Sequence, residues 1–208
     1  MKKSISISKT AHYYIQEPEL QVEKVIFVLH GYAQLASDFI KEFQDLKSSS
    51  ILVVAPEALS KFYNKNRKPV ANWMTSHERE DEIEDYISYL LAVEKEVFEK
   101  YGQLEKLALG FSQGVSTLFR WLTSSEYETT NIFACSGSIP PELTAEKVSA
   151  IKNSSINYSY GDNDGLQSIE SALKQINFLN SLSLKVNVLP FKGGHEIPNE
   201  TMLAIKDT

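Results

Sequence analysis

Ser112 stands in the pentapeptide Gly110-Phe111-Ser112-Gln113-Gly114. An apolar run, Leu107-Ala108-Leu109, leads into it, and a stretch with helical spacing, Val115 to Leu122, leads out. In a strand–turn–helix context G-x-S-x-G marks a sharp turn that lifts a serine hydroxyl into the open. Side chains at the two glycines would crowd the neighbouring strand and helix. The helix start points free N–H groups at any negative charge forming nearby. Outside that context the same pentapeptide is an ordinary glycine-flanked turn. Here the flanking runs favour a nucleophile.

A serine hydroxyl needs a base, and the base needs an orienting group. The chain has four histidines: His12, His30, His77 and His195. His195 follows Lys192-Gly193-Gly194, just past the apolar run 186–191, so it sits on a loop at a strand end. The segment Pro198 to Ile205 reads as a helix with Pro198 in its first turn. Between Ser112 and His195, the run 156–160 ends in Gly161-Asp162-Asn163-Asp164-Gly165, a turn with two carboxylates. The order Ser, Asp, His is that of the α/β-hydrolase triad. Val25 to Leu29 reads as a buried strand ending in His30-Gly31-Tyr32. In such an arrangement the oxyanion donors are the backbone N–H groups of Tyr32 and Gln113.

Taken together, Leu29-His30-Gly31, Gly110-Phe111-Ser112-Gln113-Gly114, Ser136-Gly137-Ser138-Ile139-Pro140, Gly161-Asp162-Asn163-Asp164 and Gly194-His195 resemble the phospholipase/carboxylesterase family. That family includes acyl-protein thioesterases and bacterial carboxylesterases. The resemblance covers roughly residues 22 to 205, and Trp73-Met74-Thr75 sits where the family has a Trp-Phe-Asp-like segment. It implies an α/β-hydrolase fold, no cofactor and no catalytic metal. It also selects Asp164 rather than Asp162 as the triad acid. Tyr160-Gly161 stands in place of the family's His-Gly, and Gly165-Leu166-Gln167 in place of a Val-Pro segment. The Tyr32-Ala33-Gln34 loop is also less glycine-rich. These departures leave the triad in place and fall around the substrate pocket.

The 208 residues predict one domain over 1–208 with room for a core. A net charge of −6 with no basic block argues against a nucleic-acid partner. No apolar run approaches a membrane span. Met1-Lys2-Lys3 is followed by alternating rather than apolar residues, so no signal peptide is expected. A single cysteine, Cys135, excludes an internal disulfide and fits the cytoplasm. The chain gives no indication of oligomeric state.

Apolar runs at 25–29, 51–55, 106–109, 132–135, 156–160 and 186–191 alternate with helical segments. Runs without polar alternation suggest strands covered on both faces, hence a mostly parallel sheet with helices on either side. Ser4 to Ser8 alternates with period two and, with His12 to Ile15, predicts an N-terminal edge hairpin. A helix is expected over 76–101, with Ile83, Ile87, Leu90, Leu91, Val97, Phe98 and Tyr101 as its apolar stripe and Thr75-x-x-Glu78 as a capping box. The carboxylates from Glu78 to Asp85 read as a solvated first turn favoured by the helix dipole. His77-Glu78 lacks the second histidine of H-E-x-x-H.

Glu57 to Met74 is the longest stretch without periodicity. Its aromatics make Phe62, Tyr63 and Trp73 candidates for a lid or pocket wall. The plainer reading is a surface excursion with Trp73 in the core. His30 and Cys135 read as structural. The function expected is a serine carboxylesterase acting on a small-molecule ester or thioester through Ser112, Asp164 and His195. A lysophospholipase or acyl-protein thioesterase acting on longer chains is the alternative within enzymes. A silent hydrolase fold that binds a ligand is the alternative of another class.

Overall fold

The apolar runs become strands within a residue or two of the expected bounds. In the computed structural model, which describes residues 1 and 3–208, β1 (Tyr13–Gln16) and β2 (Lys24–Leu29) come first. Helix α1 (Ala36–Phe39) and a 3₁₀ segment (Ile40–Ser48) lead to β3 (Ile51–Pro56). Then come β4 (Ser60–Tyr63), β5 (Pro69–Asn72), α2 (Arg79–Tyr101), β6 (Glu105–Phe111) and α3 (Gln113–Leu122). The remainder is β7 (Asn131–Cys135), β8 (Ser155–Gly161), α4 (Ile169–Ser181), β9 (Val186–Phe191) and α5 (Asn199–Lys206). Pro198 caps α5 with extended backbone rather than sitting in its first turn.

Seven strands form one sheet in the order β1-β3-β2-β6-β7-β8-β9. Only β1 is antiparallel to its neighbour; every other pair is parallel. Alternate residues of β2 face opposite sides, as strand geometry demands. Val25, Phe27 and Leu29 pack with Leu90 and Val97 of α2 and Leu118 and Trp121 of α3. Ile26 and Val28 pack with Phe39, Phe43 and Ile205 on the other face. Helices therefore cover both faces, which explains why the runs carry no polar alternation.

Strand order and register fix where loops meet. The sheet grows outward in both directions from the β2–β6 pair, and ligands of open α/β sheets lie beyond the carboxyl ends at such a switch point. Leu29 is paired with Gly110, so the loop after β2 and the turn after β6 emerge side by side. Gly161 is paired with Phe191, which does the same for the 161–165 turn and the His195 loop.

The N-terminal hairpin does not form. Ser4 to Ser8 is in no strand, and β1 pairs with β3 instead. The intervening Lys9-Thr10-Ala11 lacks the Gly or Asn that a tight hairpin turn requires. Ile5 and Ile7 stay exposed, with no core face to bury them. Helix α2 also starts later than expected and has no capping box. Glu78 adopts φ 51° before the helix begins, and the Thr75 N–H donates to Glu82 rather than the Glu78 carboxylate at 2.5 Å. Its buried stripe is Tyr86, Leu90, Val93, Val97 and Phe98, with Glu94 among them. Ile83, Ile87, Leu91 and Tyr101 pack at its margin. The aperiodic stretch resolves into the antiparallel pair β4–β5.

Glu94 is buried for a reason on β6. Lys106, with a fully buried side chain, donates to Glu94 at 2.5 Å, to Ser125 Oγ at 2.9 Å and to the Tyr127 carbonyl at 2.6 Å. Burial pushes the Lys106 amine down, and Glu94 opposes that. Removing one partner of such a pair strands the other charge, whereas replacing both with apolar groups is often neutral. Lys106→Met should therefore cost about 3–5 kcal/mol. Adding Glu94→Leu should restore most of the loss. Urea midpoints followed by circular dichroism check this, and a double variant no better than the single one would contradict it.

Candidate active site

Strand β6 ends at Phe111, and Ser112 turns the chain into α3 with φ 54° and ψ −118°. A non-glycine residue pays about 1–3 kcal/mol for such a conformation and keeps it only where the surroundings impose it. Here they do. A Cβ on Gly110 would stand 2.6 Å from the Gly114 carbonyl oxygen, and one on Gly114 would stand 2.2 Å from that of Leu29. Helix, turn and strand are in backbone contact. The Ser112 N–H donates to the Cys135 carbonyl at 2.9 Å, which anchors the turn to β7.

His195 reaches Ser112 from the loop after β9. Its Nε2 lies 2.8 Å from Ser112 Oγ, and its Nδ1 lies 2.8 Å from Asp164 Oδ2. The Phe111 ring packs against the imidazole, with centroids 4.9 Å apart. The Asp164 side chain is buried, and its other oxygen accepts the Leu166 and Gln167 N–H groups at 2.7 and 3.0 Å. Burial pushes the carboxyl up, but the His195 hydrogen bond and these two N–H donors outweigh it and hold it below the ordinary range. An ionised Asp164 draws the ring proton to Nδ1 and leaves Nε2 to accept from the serine hydroxyl. Hydroxyl, imidazole and carboxylate linked in this order can pass the serine proton to the ring.

Asp162 does different work. It is exposed, and its Oδ1 accepts the Gly193 N–H at 3.1 Å. The Asn163 N–H donates to the Gly193 carbonyl at 3.0 Å, and the Asp162 N–H to that of Phe191 at 3.0 Å. These bonds tie the acid turn to the base loop.

On the other side of Ser112, a Cβ on Gly31 would lie 3.1 Å from Ser112 Cβ. The Gly31-Tyr32 turn thus sits against the serine. Gln113 opens α3, so its N–H has no intrahelical acceptor. Its side chain is a clamp. Oε1 accepts the Trp73 N–H at 3.2 Å, and Nε2 donates to Asn72 Oδ1 at 2.7 Å and the Met74 carbonyl at 2.9 Å. Gln34 accepts the Gly31 N–H at 2.6 Å, and its own carbonyl accepts that of Ala71. The β4–β5 hairpin therefore holds both backbone segments in place.

His30 is buried beneath this turn. The Ala58 N–H donates to its Nε2 at 3.1 Å, so Nδ1 carries the proton and donates to the Gly31 carbonyl at 2.7 Å. Burial pushes its pKa down, and the ring is neutral. Trp73 lies against it, only 1 % exposed, with its indole N–H donating to the His30 carbonyl at 2.8 Å. Trp73 is thus core rather than a pocket wall. An aromatic residue in an aperiodic stretch gives no signal of which side it takes. Phe62 packs on Tyr32 with ring centroids 5.4 Å apart, and Tyr63 points to solvent. None of the three lines the cavity beside Ser112. That cavity is walled by Ser116, Ser138, Leu166, Gln167 and Ser171 among others. Ser116 was discoverable, since it lies one helical turn after Ser112. Ser171 required the tertiary path of α4.

Sheet order and the strand–turn–helix around Ser112 place the chain among the α/β-hydrolases. Its sequence matches the phospholipase/carboxylesterase family model over residues 10–208, and it belongs to that family, whose members hydrolyse ester or thioester bonds. Its fold is similar to that of acyl-protein thioesterase 2 from Zea mays, at 16 % identity over 95 % of this chain and 97 % of that one, with a TM-score of 0.72. Esterase PE8 is similar at 19 % identity over 96 % and 97 %, with a TM-score of 0.74. The Bacillus cereus carboxylesterase is similar at 16 % identity over 95 % and 92 %, with a TM-score of 0.71. A search of curated proteins with the sequence finds no match.

The two carboxylates of the acid turn should separate in kinetics. Asp164→Asn keeps the shape but favours the wrong imidazole tautomer, so ester turnover should fall by about 10⁴. Asp162→Asn retains an oxygen for the Gly193 N–H and should cost less than about tenfold, by the modest value of one exposed hydrogen bond. Steady-state kinetics of both variants, with folding checked by circular dichroism, test the assignment. A larger loss in Asp162→Asn would reverse it.

Proposed function

We propose that residues 1–208 act as one domain, a serine carboxylesterase that works through an acyl-enzyme. The observation that carries this reading is the continuous path from Ser112 Oγ to His195 Nε2 and from Nδ1 to Asp164, with both steps 2.8 Å long. The Ser112 oxygen attacks the ester carbonyl while its proton passes to His195. The new C–O bond pushes the carbonyl electrons onto oxygen, where the N–H groups of Tyr32 and Gln113 receive the charge. The intermediate collapses, the ester C–O bond breaks, and the alcohol leaves with the proton from His195. Water then repeats the attack with His195 as base, releasing the acid and restoring Ser112. Asp164 remains ionised throughout and stabilises the imidazolium.

The same steps cleave a thioester, and lysophospholipase or acyl-protein thioesterase action would differ only in the length of the chain accepted. A silent binding protein is disfavoured because such a protein has no need of a strained serine bonded to an oriented base. Cys135, free and buried, fits a reducing compartment, and we assign the chain to the cytoplasm. No helix among the described residues is long and apolar enough to cross a membrane.

Ser112→Ala should abolish ester hydrolysis, with a loss on the order of 10⁶ in turnover, and should abolish covalent labelling by a fluorophosphonate. Activity within tenfold of wild type would point to another nucleophile.

A further inference from the structure

The cavity beside Ser112 and His195 holds about 270 Å³, at the small end of ligand sites. Its lining is mainly polar. Ser116, Ser138 and Ser171 place hydroxyl-bearing residues on the wall, and Leu166, at the exposed rim, is the only apolar side chain there among the described residues. Among the described residues no lysine, arginine or carboxylate lines it. Two buried residues, Ser136 and Gln167, also line it.

The orientation of the Gln167 amide is set by its neighbours. Its Nε2 donates to the Gly137 carbonyl at 3.1 Å and to the Tyr158 hydroxyl at 2.9 Å, and that hydroxyl donates to the same carbonyl at 2.5 Å. The amide nitrogen therefore faces these two oxygens, and Oε1 is left as an acceptor. Gln167 Oε1 and Ser136 Oγ are buried with no partner among the described residues. A buried polar atom left unpaired is destabilising and calls for a reason. Both belong to the lining of a cavity that adjoins the reactive serine.

We infer that this cavity is a subsite for a neutral, hydroxyl-bearing group of the ester substrate, and that Ser171 and Gln167 set the preference. The inference rests on the esterase reading above. An alkyl chain packed here would cover the serine hydroxyls without offering them a hydrogen bond. A phosphate or carboxylate would meet no lysine or arginine among the described residues. An ammonium would meet no free carboxylate, since both Asp164 oxygens are taken. A hydroxyl both donates and accepts, which suits serines of either state: Ser116 Oγ already donates to the Ser138 carbonyl at 2.6 Å and is left to accept. The hydroxyl belongs either to the acyl group or to the departing alcohol, and the chemistry of recognition is the same for both.

Matched substrate pairs test this with the purified full chain. The acyl arm compares p-nitrophenyl β-hydroxybutyrate with p-nitrophenyl butyrate. The alcohol arm compares glyceryl monobutyrate with propyl butyrate. We expect kcat/KM to favour the hydroxylated member by about tenfold or more in one arm, and that arm identifies the side of the ester. Ser171→Leu, on an accessible position of α4, and Gln167→Leu should each bring the ratio toward one. Ester hydrolysis without preference in either arm, or with kcat/KM climbing steadily from acetate to octanoate, overturns the subsite while leaving the esterase reading intact. So does a folded Ser171→Leu variant that keeps the full ratio. Failure to hydrolyse any ester, with no fluorophosphonate labelling of Ser112, removes both readings.

Discussion

At Gly114 even a methyl group would stand 2.2 Å from the Leu29 carbonyl oxygen. The first turn of α3 therefore lies in backbone contact with the end of β2, and this contact shapes the centre of the molecule. It forces the chain through the positive φ of Ser112 and points the start of α3 at the space above the sheet. It also brings the loop after β2 against the serine, because Leu29 and Gly110 are paired across adjacent parallel strands. The cost of the strained residue is absorbed by β6 and α3, whose side chains are nearly all buried.

Two further segments depend on that centre. The β4–β5 hairpin is too short to be stable alone. It is held by the Gln113 side chain, by the Gln34–Ala71 bridge and by Trp73 on His30. Gln113 thus has two jobs: its backbone N–H opens the helix beside Ser112, and its amide fastens the hairpin. His30 is kept neutral by burial and has both ring nitrogens engaged. It is a rigid support rather than a proton carrier.

The acid and the base arrive from the opposite side of the turn. Their strands β8 and β9 are parallel neighbours, and the loops that follow are stitched by bonds between 162–163 and 191–193. Positioning here is mutual. The Asp164 carboxylate orients the imidazole, while Asp162 and the backbone keep the two loops from drifting apart. The polar cavity opens beside this assembly, walled by the first turns of α3 and α4 and by the turn after β7.

Much of this was legible in the residues. Continuous apolar runs located the parallel strands, because burial on both faces leaves no room for polar alternation. The pattern G-x-S-x-G between a strand and a helix located Ser112, and order along the chain pointed to His195 and to the 161–165 turn. Residues alone left Asp162 and Asp164 unresolved; resemblance favoured Asp164, and in the fold that is the carboxylate bonded to His195. Other features had no local signature. Ser4 to Ser8 has the alternation of a strand, but a strand also needs a free partner edge and a face to bury, and neither is encoded nearby. Trp73 looked as much like a pocket wall as like core, since a lone aromatic carries no period. The cavity hydroxyls come from three separate segments, so only the path of the chain could gather them. Local spacing determines what each segment can become, because side-chain periodicity is a property of one helix or strand. Which loops share a site is a matter of strand order and register, and those are decided only when the whole sheet is assembled.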